Sequence, residues 1–233
     1  MPEKQQIRQV NGLEYILTRK SVKNINLRVY VDGRIKVSAN SRVPLKEIDA
    51  FVERNTEYIK NLYQKAESRP EMRLIPQEFS NGTEFYFLGK KRVILLTQES
   101  KTYLNGNTLY LSNTSGKSIE KAFSEWLSEQ AAEILFKYVD TVYKDFKDSG
   151  VPYPQVVIKI LKSEWGNCYP QKEKITLNLL LLATPPECIY YVVVHEFSHF
   201  LHPNHSKHFW AVVSQFVPDY KEKRKQLRQY DTF

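Results

Sequence analysis

Histidine is missing from residues 1–194 of this 233-residue chain, and all five histidines fall between 195 and 208. Cysteine is almost as scarce. Two thiols, Cys168 and Cys188, exclude a small secreted fold stapled by disulfides and point to free thiols in a reducing compartment. The methionines are Met1 and Met72 alone. No run is both long and apolar. The least charged stretch of membrane length, 175–194, carries Asn178, Thr184, Pro185, Pro186 and Glu187 in its middle, which argues against a transmembrane helix. The first residues, Met1-Pro2-Glu3-Lys4-Gln5-Gln6, lack the apolar region of a signal peptide. The expectation is a soluble, cytoplasmic protein without membrane contact.

What is present narrows the class further. A hydrophobic fraction of 42% with 13% aromatics excludes an intrinsically disordered chain. At 27.4 kDa the chain forms one large domain or two small ones. The net charge is +8 and uneven: residues 1–50 carry ten basic and five acidic side chains, and residues 220–230 five and one. Such a bias attracts nucleic acid or acidic substrates. Without a motif interleaving aromatic and basic residues, a solvated basic surface is the plainer reading.

Along the chain, Ile25–Tyr30 and Arg34–Ala39 alternate apolar and polar residues on either side of Asp32-Gly33, which predicts a hairpin. Leu45–Lys65 has helical spacing at Ile48, Phe51, Val52, Ile59 and Leu62. Residues 66–80 read as a linker, and short strands are expected at Glu84–Leu88, Arg92–Thr97 and Leu109–Leu111. Ser118–Lys147 is helical by period, Gln155–Leu161 a strand, and Ser163–Cys168 with Lys174–Leu179 two strands joined by a turn. The fold class is α+β. A boundary near residue 115 divides a β-rich domain with one helix, 1–115, from a helical one, 116–233.

Thr184-Pro185-Pro186-Glu187 reads as a helix start, with Thr184 as cap and Glu187 completing a capping box. The segment that follows, Cys188–Leu201, is apolar almost all round and ends before Pro203. It contains His195-Glu196-Phe197-Ser198-His199, an H-E-x-x-H pattern. Residues i and i+4 share a helical face about 6 Å apart, so two imidazoles converge on one metal ion. Glu196 lies about 100° around the helix and faces the metal-bound water without ligating. Zinc lowers the pKa of that water towards about 7, and the carboxylate accepts its proton. Incidental histidines on a buried helix would leave polar groups desolvated at high cost.

Catalytic zinc takes a third protein ligand and keeps one position open. His202 continues the stripe of His195 and His199 but lies about 10 Å of helical rise from His195, too far to share an ion. Beyond Pro203-Asn204 the chain can turn back, which makes His205 the third ligand. His202 is left as a surface or supporting residue and His208 as an exposed one. The six-residue spacing to His205 also occurs in metzincins, but those have glycine where this chain has His202, and a later methionine turn that is absent here. Ser206–Val217 is expected to form a helix, with Phe209 and Trp210 on its apolar side, that braces His205. The basic run Lys221–Arg228 forms a last helix or tail. Trp165, Cys168 and Cys188 read as packing residues, and His202, His208 and Tyr190 are the candidates for stabilising an oxyanion.

Trp165-Gly166-Asn167-Cys168, Ile175-Thr176-Leu177-Asn178, Pro185-Pro186, Tyr191-Val192-Val193-Val194-His195-Glu196, Asn204-His205-Ser206 and Phe209-Trp210 resemble the YgjP-like family of metal-dependent hydrolases. That family is in turn similar to SprT/WLM and M48-like zincin metallopeptidases. Glu164 and Asn167 stand where the family usually has Arg and Ser. The resemblance implies a zincin-like catalytic domain, with a buried H-E-x-x-H helix beside a small antiparallel sheet. It also implies zinc on His195, His199 and His205, with Glu196 as base.

The expected function is a zinc metallopeptidase or related amide hydrolase acting on a peptide or protein. Two alternatives remain open at this point: a SprT-like protease tethered to nucleic acid by its basic surface, and a non-catalytic module in which zinc only holds helices together.

Overall fold

A computed structural model describes residues 5–29, 34–67, 74–114, 116, 118–162 and 164–230. The chain divides into two compact units, residues 1–70 with 232–233, and residues 71–231. The compositional change near residue 115 therefore falls inside the second unit, because the strands before it pack on the helix after it.

The first unit begins with β1 (Gln5–Val10) and β2 (Leu13–Arg19), joined by Asn11-Gly12. Both turn residues have positive φ, at 47° and 79°, the conformation of the two-residue hairpin that Asn-Gly favours. β3 (Asn26–Val29) pairs antiparallel with β4 (Ile35–Ala39), as the alternation predicts. The Asp32-Gly33 turn lies outside the described residues. The sheet order is β1-β2-β4-β3, with β2 and β4 parallel.

The single helix expected over 45–65 is two, α1 (Leu45–Arg54) and α2 (Thr56–Glu67). Asn55 breaks the run at φ −96° and ψ 9°. Its side-chain amide donates to the Phe51 carbonyl at 2.8 Å, competing with the helix ladder as short amides do. Tyr15, Leu17, Ile35, Val37, Ile48, Val52 and Ile59 form this unit's core.

The second unit opens with β5 (Glu84–Phe87), β6 (Lys90–Thr97), β7 (Tyr103–Asn105) and β8 (Thr108–Ser112), in the order β5-β6-β8-β7 with β6 and β8 parallel. This repeats the topology of the first sheet. The β5–β6 turn, Leu88-Gly89, also has two positive φ values, 51° and 72°. Here the turn is docked. Leu88 and Gly89 donate their N–H groups to the carbonyls of Leu182 and Ala183 at 2.6 and 3.0 Å. A Cβ on Gly89 would lie 2.8 Å from Pro185 Cγ, so only glycine fits the approach.

α3 (Ile119–Phe146) spans the unit, capped by Ser118, whose hydroxyl accepts from the Lys121 N–H. Its buried face, from Phe123 through Trp126, Leu135 and Val142 to Phe146, packs on β8, β9 (Gln155–Lys159) and α4 (Pro186–Leu201). β10 (Gly166–Tyr169) pairs antiparallel with β11 (Lys174–Asn178), which pairs in parallel with β9. The small sheet is thus mixed rather than antiparallel: β11 inserts between β10 and β9, antiparallel to the first and parallel to the second. α5 (Lys207–Phe216) and α6 (Tyr220–Leu227) complete the unit. Among the described residues no helix is long and apolar enough to cross a membrane.

Candidate metal centre

α4 is the innermost helix of the second unit, touching α3, α5, α6, β10 and β11. Its Val192–Val194 run would suit a strand by propensity, but burial on nearly all sides makes it helix. The start differs from the expected capping box. Pro185 is the cap residue, and the Thr184 hydroxyl donates to the Leu181 carbonyl at 2.8 Å instead.

His195 and His199 stand one turn apart with ring centroids separated by 5.0 Å. The helix ends at His202, whose backbone leaves helical conformation ahead of Pro203. The chain then folds back and brings the His205 ring 4.9 Å from each of the other two. One ring nitrogen from each of the three lies within 4.8 Å of the others. His205 Nε2 and His195 Nε2 are 3.0 Å apart. His199 Nδ1 faces the His202 carbonyl at 3.3 Å, which leaves its Nε2 for a ligand. Two donors each about 2.0–2.1 Å from one tetrahedral ion would sit a little over 3 Å apart, so the cluster fits one.

The electrostatics fit as well. Burial, with the neighbouring imidazoles adding to it, pushes His195 down to about 3. Burial also lowers His199 and His205. All three are therefore neutral near pH 7, the form that binds metal. Three neutral imidazoles suit zinc and other borderline divalent ions. Cys168 lies outside the group, and burial raises its thiol to about 12.

Phe209 is fully buried and packs on all three imidazoles, at 4.6–4.9 Å between centroids. Trp210 stacks on His205 at 5.6 Å and on Tyr220 at 4.9 Å, with the Arg224 guanidinium 5.1 Å above its ring. This aromatic column fixes the exposed third histidine. The Phe209-Trp210 pair was visible in the helical spacing; Tyr220 and Arg224 were not.

Glu196 is 4% exposed. Burial, then the nearby Glu164, raises its carboxyl to about 8. Among the described residues no side chain donates a hydrogen bond to it. Its carboxylate lies against the backbone of Gly166 on β10. A Cβ on Gly166 would fall 2.7 Å from Glu196 Oε1 and 2.8 Å from Cγ, so the absent side chain is what makes room. Sequence reasoning missed this contact, which joins positions thirty residues apart.

The remaining candidates fall elsewhere. His202 and His208 face each other at 5.9 Å and lie outside the imidazole triad. Tyr190 is raised by burial and by Asp145 on α3, whereas the neighbouring Tyr191 has its ring 5.9 Å from His195. Trp165 packs partly buried against the core, and Cys188 is buried with its Sγ 3.4 Å from Gln226 Oε1. Glu164 and Asn167 bond to each other, the Asn167 amide donating at 3.1 Å.

The family described as YgjP-like, metallopeptidase domain, matches residues 23–230 of the chain. No curated protein matches. Among solved structures, the chain is similar to the metallopeptidase zymogen of Pyrococcus abyssi abylysin. The identity is 22%, the match covers 40% of this chain and 90% of that one, and the TM-score is 0.37.

Proposed function

The chain belongs to the YgjP-like metallopeptidase family, metal-dependent peptidases in general terms, and from that premise we propose that it is a zinc-dependent peptidase with Glu196 as general base. His195, His199 and His205 would hold the ion, and α4 with the β9–β11 sheet would form a zincin-like catalytic centre acting on peptides or proteins. The observation that carries this reading is the convergence of three neutral imidazoles within 4.8 Å beside a buried carboxylate.

When bound, zinc supplies a Lewis acid for the scissile carbonyl and makes a water acidic near neutral pH. The protein's own groups do the rest. Glu196 takes the proton of the attacking water on its carboxylate and returns it to the leaving amine nitrogen. Gly166 keeps the carboxylate in its slot, and the His202 carbonyl orients His199.

The test uses protein loaded with one equivalent of zinc on a peptide library. Cleavage is expected, with loss on chelation and recovery when zinc is returned. Glu196→Gln should keep near one equivalent of zinc while turnover falls by about 10²–10⁴-fold. Unchanged turnover in that variant would remove Glu196 from the chemistry.

A further inference from the structure

The β9–β11 sheet has two working faces. Ile175 and Leu177 of β11 enter the core shared with α4, and Gly166 of β10 abuts Glu196. The alternate residues Asn167, Tyr169, Lys174 and Thr176 point to the opposite face. A cavity of about 300 Å³ opens there. Three ammonium groups line it: Lys159 at the end of β9, Lys172 in the turn between β10 and β11, and Lys174. Its one carboxylate, Glu164, already accepts from Asn167. Three positive charges against one negative leave the cavity suited to an anion.

Strand alternation ties this cavity to the candidate centre. Asn167 lines the cavity and is the residue after Gly166, about 3.3 Å along the strand. β10 is one of the two edge strands of the described sheet, in the order β10-β11-β9, and the one that carries Gly166. An extended peptide paired with such an edge presents alternate side chains to the two faces. One set meets the Glu196 side and the other the lysines. The lining contains no guanidinium and a single aromatic ring, Tyr169, so it lacks the stacking platform of a single-strand nucleic-acid groove.

Resting on the peptidase reading above, we infer that the Lys159, Lys172 and Lys174 cavity recognises an acidic side chain of the peptide substrate at a fixed distance from the scissile bond. Lys159 and Lys172 are exposed, so their contribution is modest and screened by salt. It selects among peptides and does no chemistry.

The test is competitive cleavage of alanine-rich octapeptides carrying Glu, Gln or Lys at each position in turn, by the zinc-loaded protein. Glu is expected to be preferred over Gln at one position by about three- to tenfold in kcat/KM, mainly through KM, and less so at high salt. Lys159→Glu with Lys172→Glu should reverse the ranking at that position to Lys over Glu, a change that misfolding cannot produce. Lys159→Gln with Lys172→Gln should flatten it. Cleavage with no ranking, or with a ranking the lysine variants leave unchanged, overturns this inference and spares the peptidase reading. Cleavage of no peptide overturns both. Inhibition by a single-stranded DNA oligonucleotide through the same lysines, with Glu and Gln peptides cut alike, would assign the cavity to nucleic acid instead.

Discussion

Among the described residues each unit contains a cluster of interacting polar side chains, Arg8–Tyr15–Asp49 in the first and His195–His199–His205 in the second, and these two are built on opposite plans. In the first unit, Asp49 receives the Arg8 guanidinium through both oxygens, at 2.6 and 3.1 Å, and the Tyr15 hydroxyl at 2.6 Å. Arg8 also donates to Tyr15 at 3.2 Å. The charges cancel. The Arg8 hydrogen bonds hold Asp49 below the usual carboxylate range, and the Asp49 hydrogen bond holds Arg8 above its own. In the second unit three imidazole nitrogens turn toward each other without an acid between them. His195 Nδ1 is buried without a partner among the described residues, and the Glu196 carboxyl lies well above its ordinary value. A cluster that serves the fold closes on itself. The imidazole cluster instead gathers three ligand atoms that could hold one ion.

The comparison sharpens on adding zinc. A ligand present at a thousand times its Kd stabilises the state that binds it by about 4 kcal/mol. Amide hydrogen exchange in α4 and α5 should slow accordingly, with the β1–β4 amides as internal reference. Equal protection of both regions, or of neither, would break the contrast.

A smaller effect is expected from Gly166→Ala. The added methyl displaces the Glu196 carboxylate, and a shift on the order of 1 Å costs up to about 100-fold in turnover, while zinc stays near one equivalent. Combining it with Glu196→Asp, whose side chain is one methylene shorter, should cost less than the product of the single losses. Simple additivity would mean that the two positions do not touch in the working enzyme.

The smallest effect belongs to the closed cluster. Asp49→Asn should destabilise the first unit by about 1–2 kcal/mol, the scale of charge-assisted hydrogen bonds, without altering metal content. Because Asp49 is lowered in the folded state, its contribution is fully present above the unfolded value of about 3.9 and fades as pH falls through the folded one. The gap between wild type and variant in urea melts should therefore be constant from pH 5 to 7 and narrow below pH 4. A gap that widens in acid would reverse the assignment.

The helix that carries His195, Glu196 and His199 was legible because its signal is local. Two histidines and a glutamate at fixed spacing need only helical geometry, and His202 is excluded by rise along the same axis. What escaped is non-local or weakly patterned. β1 reads Gln-Gln-Ile-Arg-Gln-Val, too polar to announce a strand, although Asn11-Gly12 marked its turn. The parallel pairing of β9 with β11 and the contact of Gly166 with Glu196 depend on tertiary packing. The break at Asn55 passed unseen because the apolar positions on either side keep nearly the same period. The boundary near 115 followed a change in composition, whereas packing unites β5–β8 with α3, since Phe85, Phe87 and Leu111 share a core with Phe123 and Trp126.

The central claim, that His195, His199 and His205 form an open site for one ion, is tested most directly by the zinc K-edge absorption spectrum of the zinc-loaded protein. The prediction is three imidazole nitrogens at about 2.0–2.1 Å, with the remaining shell filled by oxygen and no sulfur. A sulfur shell at about 2.3 Å, placing Cys168 on the ion in a closed site, would contradict it.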